Sequence, residues 1–124
     1  MREYANVIIA IDEAEIQNIV VSYIGRDDRH KNKFNDIVNV IREGLNNREL
    51  FKREKIDDKI NNVWAMRFFV GQDNDRIYCQ QTTFNGKKAF VLSCLLLHKE
   101  TDENGPREIA EIKKVSNYQY EYKS

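Results

Sequence analysis

The stretch NVWAMRFFVGQDNDRIYCQQ (62–81), followed by KKAFVLSCLLLHKETDENGPREIAEI (87–112), decides the fold. Within Val63–Val70, Trp64, Met66, Phe68 and Val70 alternate with Val63, Ala65, Arg67 and Phe69. That period of two is the signature of a strand. GQDND (71–75) reads as a turn, and Arg76–Thr82 as a second strand with Arg76, Tyr78 and Gln80 opposite Ile77, Cys79 and Gln81. Asn85-Gly86 supplies the positive backbone φ angles of a tight hairpin, so Lys88–Leu97 forms the third strand. Pro106 then suits the first turn of a closing helix that runs to about Asn117. Adjacent antiparallel strands lie about 5 Å apart, so Arg67, Arg76 and Lys99 can converge on one patch fitted to a polyanion.

Toward the N-terminus the period changes. Val7–Ile11 is a short apolar run, and Asp12 with Glu15 three residues later can cap a helix start. Ile16, Ile19, Val20, Tyr23 and Ile24 recur at helical spacing, with Gly25 where that helix ends. Residues 26–33 are charged and turn-like. Phe34, Ile37, Val38, Ile41 and Leu45 form a second amphipathic face to about Asn47. Two helices with so short a connection pack as an antiparallel hairpin. The charged segment 48–62 reads as a loop with some helical turn around Leu50 and Phe51. The expected order is β-α-α-β-β-β-α, an α+β fold with a small antiparallel-rich sheet and an N-terminal helix hairpin.

At 124 residues the chain fits one domain, 1–124. With 41% hydrophobic and 32% charged residues it has the composition of a soluble globular protein. The longest apolar run, Ala89–Leu97, falls far short of the roughly 20 residues of a membrane span. No signal-peptide pattern stands at the N-terminus, so a cytoplasmic location is expected. Cys79 and Cys94 lack CxxC spacing and read as reduced, packed thiols. Twenty basic and 20 acidic residues cancel, so a nucleic-acid partner would have to be met by a local patch rather than by net charge. Residues 1–25 carry one basic and four acidic side chains, which leaves the basic excess downstream. His30 and His98 are isolated in sequence, and no metal site or cofactor is expected.

Four local strings complete the reading: REGLNNRELFKR (42–53), NVWAMRFF (62–69), DRIYCQ (75–80), and LLLHKET (95–101) followed by PREI (106–109). In these strings and in its order of elements, the chain resembles the RelE/ParE toxin superfamily, in particular its HigB-like, phage-derived branch. The resemblance implies a RelE-like fold and a type II toxin neutralised by a cognate helix-turn-helix antitoxin. Many relatives act on the ribosome as mRNA endoribonucleases and so inhibit translation. ParE-type relatives instead inhibit DNA gyrase without cutting RNA, and an inactivated member would retain only antitoxin binding.

Metal-independent RNA cleavage needs a base for the 2′-hydroxyl, a cation for the phosphate charge and an acid for the leaving oxygen. The resemblance gives Arg67, Arg76 and Lys99 as matching positions. The arginines suit phosphate binding, because their planar fork is bidentate and permanently charged. Lys99 or His98 would move protons. Lys52, Arg53, Tyr78, Lys87 and Lys88 are candidates for RNA contact, and Tyr118, Tyr120 or Tyr122 is a looser candidate for a catalytic tyrosine. The residues alone also admit plainer roles. Lys52, Arg53 and Lys55 are interrupted by Glu54, Asp57 and Asp58, as in a solvated loop. Trp64 alternates with Met66 and Phe68, as a core residue does.

Overall fold

A computed structural model describes residues 2–3, 7–13, 16–101 and 103–121. The chain order is β1 (Arg2–Glu3), β2 (Val7–Ile11), α1 (Ile16–Gly25), α2 (Asp28–Glu43), β3 (Phe51–Arg53), β4 (Val63–Phe68), β5 (Asp75–Phe84), β6 (Lys87–Leu96) and α3 (Pro106–Asn117). The described strands form one sheet in the order β1-β2-β6-β5-β4-β3, parallel only between β2 and β6. The fold is α+β. It departs from the expected β-α-α-β-β-β-α order by one short strand added at each edge. Among the described residues no helix is long and apolar enough to cross a membrane.

The added strand β3 corrects the loop expected around Leu50 and Phe51. Phe51 pairs with Met66 and Arg53 with Trp64, and the ladder continues through Arg67 N–H to Leu50 O and Glu54 N–H to Val63 O, both 2.8 Å. A run as charged as Lys52–Lys55 has little strand signal of its own. It is held by the open edge of β4, whose backbone groups need partners.

Helix α2 starts earlier than its apolar face. Asp27 caps it, its carboxylate accepting the His30 N–H at 2.8 Å, and the segment expected as a turn is the helix's first turn, exposed except for the buried His30. Gly44, at φ +67°, closes the helix in the left-handed conformation, before the expected Asn47. The partner proposed for Asp12 in a cap, Glu15, lies outside the described residues, as does Tyr122. Strand β4 stops at Phe68 rather than Val70, because Phe69 turns to φ +58° and its carbonyl accepts the N–H groups of Gln72 and Asn74. The Asn85-Gly86 hairpin is as expected, with φ +51° and +77°.

The helix pair covers one face of the sheet and α3 part of the other. On the first face, Val20, Tyr23, Ile37 and Ile41 pack on Met66, Phe68, Ile77 and Leu92. On the second, Ile112 and Val115 of α3 pack on Val63, Ala65, Tyr78 and Leu96. Each such side chain stabilises the fold by about 1.5–3 kcal/mol on burial. A bulge in the β5–β6 ladder at Tyr78/Cys79 leaves Ser93 without a partner in register, so Leu92 and Leu95 both face the helix pair. Gln80 ties α3 down by donating from Nε2 to the Val115 and Tyr118 carbonyls at 2.8 and 2.6 Å. Cys79 and Cys94 are free thiols, and burial pushes Cys94 up to about 12, aided by its contact with Glu111.

Candidate nucleic-acid interface

The register brings Arg67 and Arg76 directly opposite one another on β4 and β5, with Leu96 of β6 next in line. His98 and Lys99 follow β6 at the same end of the sheet. The expected convergence of three strands is therefore present in the backbone, but the side chains differ sharply in access. Arg67 is half-buried and donates from Nη1 to the Arg48 carbonyl at 2.8 Å on an exposed path. Arg76 is only 1% exposed and donates to its neighbour's carbonyl, Asp75 O, at 3.0 Å. Lys99 is also buried, and its backbone N–H bonds to Asn74 O at 2.9 Å.

Arg76 and Lys99 thus do not line an open anion patch in this conformation, a correction to their expected roles. Helix α3 packs on the face of β4, β5 and β6 that carries Arg76, through Ile112 and Val115. Glu54, Tyr78 and Glu108 of α3 itself are buried as well. Asn104 donates to Glu54 Oε2 at 3.0 Å, and Glu108 lies in the first turn of α3, where the helix dipole favours an anion. Burial raises the Tyr78 hydroxyl well above the usual tyrosine range. The charges of Glu54 and Glu108 push it further, and Arg76 opposes them. Neither Glu54 nor Glu108 announced itself in the sequence; their apolar neighbours in the fold, not in the chain, make them buried.

Tyr78, a candidate for RNA contact, is fully buried. Among the described residues its hydroxyl has no hydrogen-bond partner. Tyr78→Phe is expected to raise stability by about 1 kcal/mol, because it removes an unsatisfied buried polar group. Urea denaturation of the two proteins measures this, and RNA affinity should stay unchanged.

One group of accessible cations lies along the β3 edge. Arg48, Lys52, Arg53 and Lys55 line an open cleft of about 470 Å³, with Phe51 and Trp64 at its base and Glu54 and Asn104 on its wall. Phe51 stacks on Trp64 at 4.8 Å, and the Arg53 guanidinium lies 5.1 Å over the Trp64 ring. Trp64 is half-buried against the core and donates to Gln81 Oε1 at 2.8 Å, so it is a packed residue with one accessible side. Because Arg67 is bonded to Arg48 O, the cleft and this half-buried arginine form one continuous basic edge. Of the expected RNA contacts, Lys52 and Arg53 belong to it. Lys87 and Lys88 stand on β6 at the β5–β6 hairpin, paired with Phe84 and Thr83, and Lys88 lines a neighbouring cleft that shares Phe51 and Trp64.

His98 is exposed, at 77% for its side chain, and its backbone N–H bonds to Asp75 Oδ1 at 3.0 Å. The Tyr120 hydroxyl is committed to Asp12 Oδ2 and Ser93 Oγ, at 2.9 and 2.8 Å, and burial raises it above its ordinary range. Tyr118 stays partly exposed beside it. His30, isolated in sequence, stands in the fold beside Asp73 and Asp75. Compared with known proteins, the chain matches no family model, no curated protein and no solved structure.

Proposed function

We propose that this protein is the toxin of a type II toxin–antitoxin pair with a RelE-like fold of the HigB-like kind, acting on ribosome-bound mRNA in the cytoplasm and held by a helix-turn-helix antitoxin. The observation that carries the reading is the basic edge: Arg48, Lys52, Arg53 and Lys55 beside the half-exposed Arg67. A chain with no net charge has gathered cations along one sheet edge, where a phosphate backbone can track them.

In this reading Arg67 holds the scissile phosphate and steadies the charge that develops on its oxygens. His98, exposed at the same end of the sheet, exchanges protons with the 2′-hydroxyl or leaving oxygen. Arg76, beside Arg67 on the same face but buried, acts as a positioning residue that fixes the β4–β5 pairing under the site. The burial of Arg76 and Lys99 favours a second reading, in which the chain binds RNA or antitoxin through this fold without cutting.

Induced expression followed by mapping of mRNA 5′ ends tests both. Cuts in phase with ribosomes, lost at least tenfold in Arg67→Ala, support cleavage. Growth inhibition without new 5′ ends supports binding alone, and DNA damage without cuts would indicate a gyrase inhibitor of the ParE type.

A further inference from the structure

A second polar cluster lies on the helix-pair side, where the start of α2 meets the β4–β5 turn. His30 is 2% exposed, and its ring packs edge-on against Tyr23 and Phe69, each 4.9 Å away. Its Nδ1 lies 2.6 Å from Asp27 Oδ1, the same carboxylate that caps the helix. A carboxylate at that distance holds the proton on Nδ1 and orients the ring, leaving the Nε2 lone pair as the available donor atom. Among the described residues Nε2 is buried and meets no hydrogen-bond partner. Buried ring nitrogens in native proteins are rarely left so.

Two carboxylates stand beside it. A ring nitrogen of His30 and one oxygen each of Asp73 and Asp75 lie within 4.8 Å of one another. Asp75 is buried and oriented by the Tyr23 hydroxyl at 2.6 Å and the His98 N–H at 3.0 Å. Asp73 is partly exposed and held by Arg29 at 3.1 Å. A carboxylate offers about four lone pairs, so these bonds leave acceptor capacity on both.

We propose that His30 Nε2, Asp73 and Asp75 form a site for one divalent transition-metal ion, best fitted to Zn²⁺. One imidazole and two carboxylates are a mixed nitrogen–oxygen set that zinc accepts and magnesium does not favour. Zinc bonds of about 2.0–2.1 Å put tetrahedral ligand atoms roughly 3.3 Å apart. The cluster must therefore contract, and Asp73, in the turn between β4 and β5, is the member with room to move. The two carboxylates balance the ion's charge, while Asp27 and Arg29 offset each other around it. The exposed His98 ring, with Nδ1 3.9 Å from Asp75 Oδ1, lies outside this three-residue group, so water completes the zinc coordination unless that ring swings in. The oriented His30, with its second nitrogen on a carboxylate, has the outer-shell arrangement of a metal-binding histidine.

The test is isothermal titration of the metal-free full chain with ZnCl₂, with elemental analysis after desalting. The expected result is one zinc per chain and a raised melting temperature. Asp73→Asn, at a partly exposed position that leaves the core intact, should weaken binding at least tenfold. Asp27→Asn keeps the helix cap, since asparagine caps as well as aspartate, and should weaken binding about 10- to 100-fold by releasing the His30 ring. Absence of zinc uptake by the parent chain overturns the proposal. So does uptake unchanged in Asp73→Asn and in His30→Gln, which would move the zinc elsewhere, for example to the thiols.

Discussion

Arg76→Ala is expected to destabilise the fold by about 3–5 kcal/mol, the range for removing one partner from a buried set of charges. Arg76 is 1% exposed, and Glu54 and Glu108 of α3 itself are buried as well. All three charges act on the Tyr78 hydroxyl, the glutamates raising it and Arg76 lowering it. Without the guanidinium the two carboxylates keep their desolvation cost and lose a compensating cation. For a chain of this size the melting temperature should fall on the order of 10–20 °C. Arg67→Ala, by contrast, removes a half-buried side chain bonded to one exposed carbonyl and should cost less than about 1 kcal/mol. Urea and thermal denaturation of both variants measure the difference. Equal, small losses would show that Arg76 carries no structural burden and return it to the set of phosphate-binding candidates.

The second large effect is on RNA binding. With four cations along the β3 cleft meeting phosphates, single-stranded RNA affinity should fall with a log–log salt slope of about −2.8, or roughly 50-fold between 50 and 200 mM salt. The triple variant Arg48→Glu, Lys52→Glu, Arg53→Glu should bind at least about 50-fold more weakly at 50 mM and lose most of that salt dependence. Fluorescence anisotropy with a short labelled RNA reads both quantities, and a denaturation curve checks that the fold survives. Reversing Lys87 and Lys88 is the comparison, because they stand on β6 at the hairpin rather than on the β3 edge. If the hairpin pair weakened binding more than the edge triple, the interface would have to be moved there.

Several elements were legible because their signals are local. The period of two through Trp64, Met66 and Phe68, the Asn85-Gly86 turn and Pro106 each constrain the backbone within a few residues. The start of α2 is not legible because its first turn is polar and its buried residue is a histidine, so the apolar period begins only at Phe34. Its signal was Asp27, a capping aspartate before Asp28. The strand β3 had no local signal to miss, since Phe51 is its one buried residue and its neighbours are charged. In the site, Lys52 and Arg53 were found as a basic run, but their partners Arg48 and Lys55 join them only through the edge that β3 makes. The meeting of His30 with Asp73 and Asp75 spans more than 40 residues of chain, a separation at which no spacing rule operates.

By itself the sequence determined which residues could alternate across a sheet, where the hairpin turns and where the last helix begins, because these follow from backbone stereochemistry and hydrophobic period. It also placed Arg67 and Arg76 on strands that pair, one against the other. Only the tertiary structure decided which of them meets solvent. Alternation assigns a side chain to a face but says nothing of what covers that face, and here Arg76 is buried on the face where α3 packs while the edge at Arg67 and Arg48 stays open.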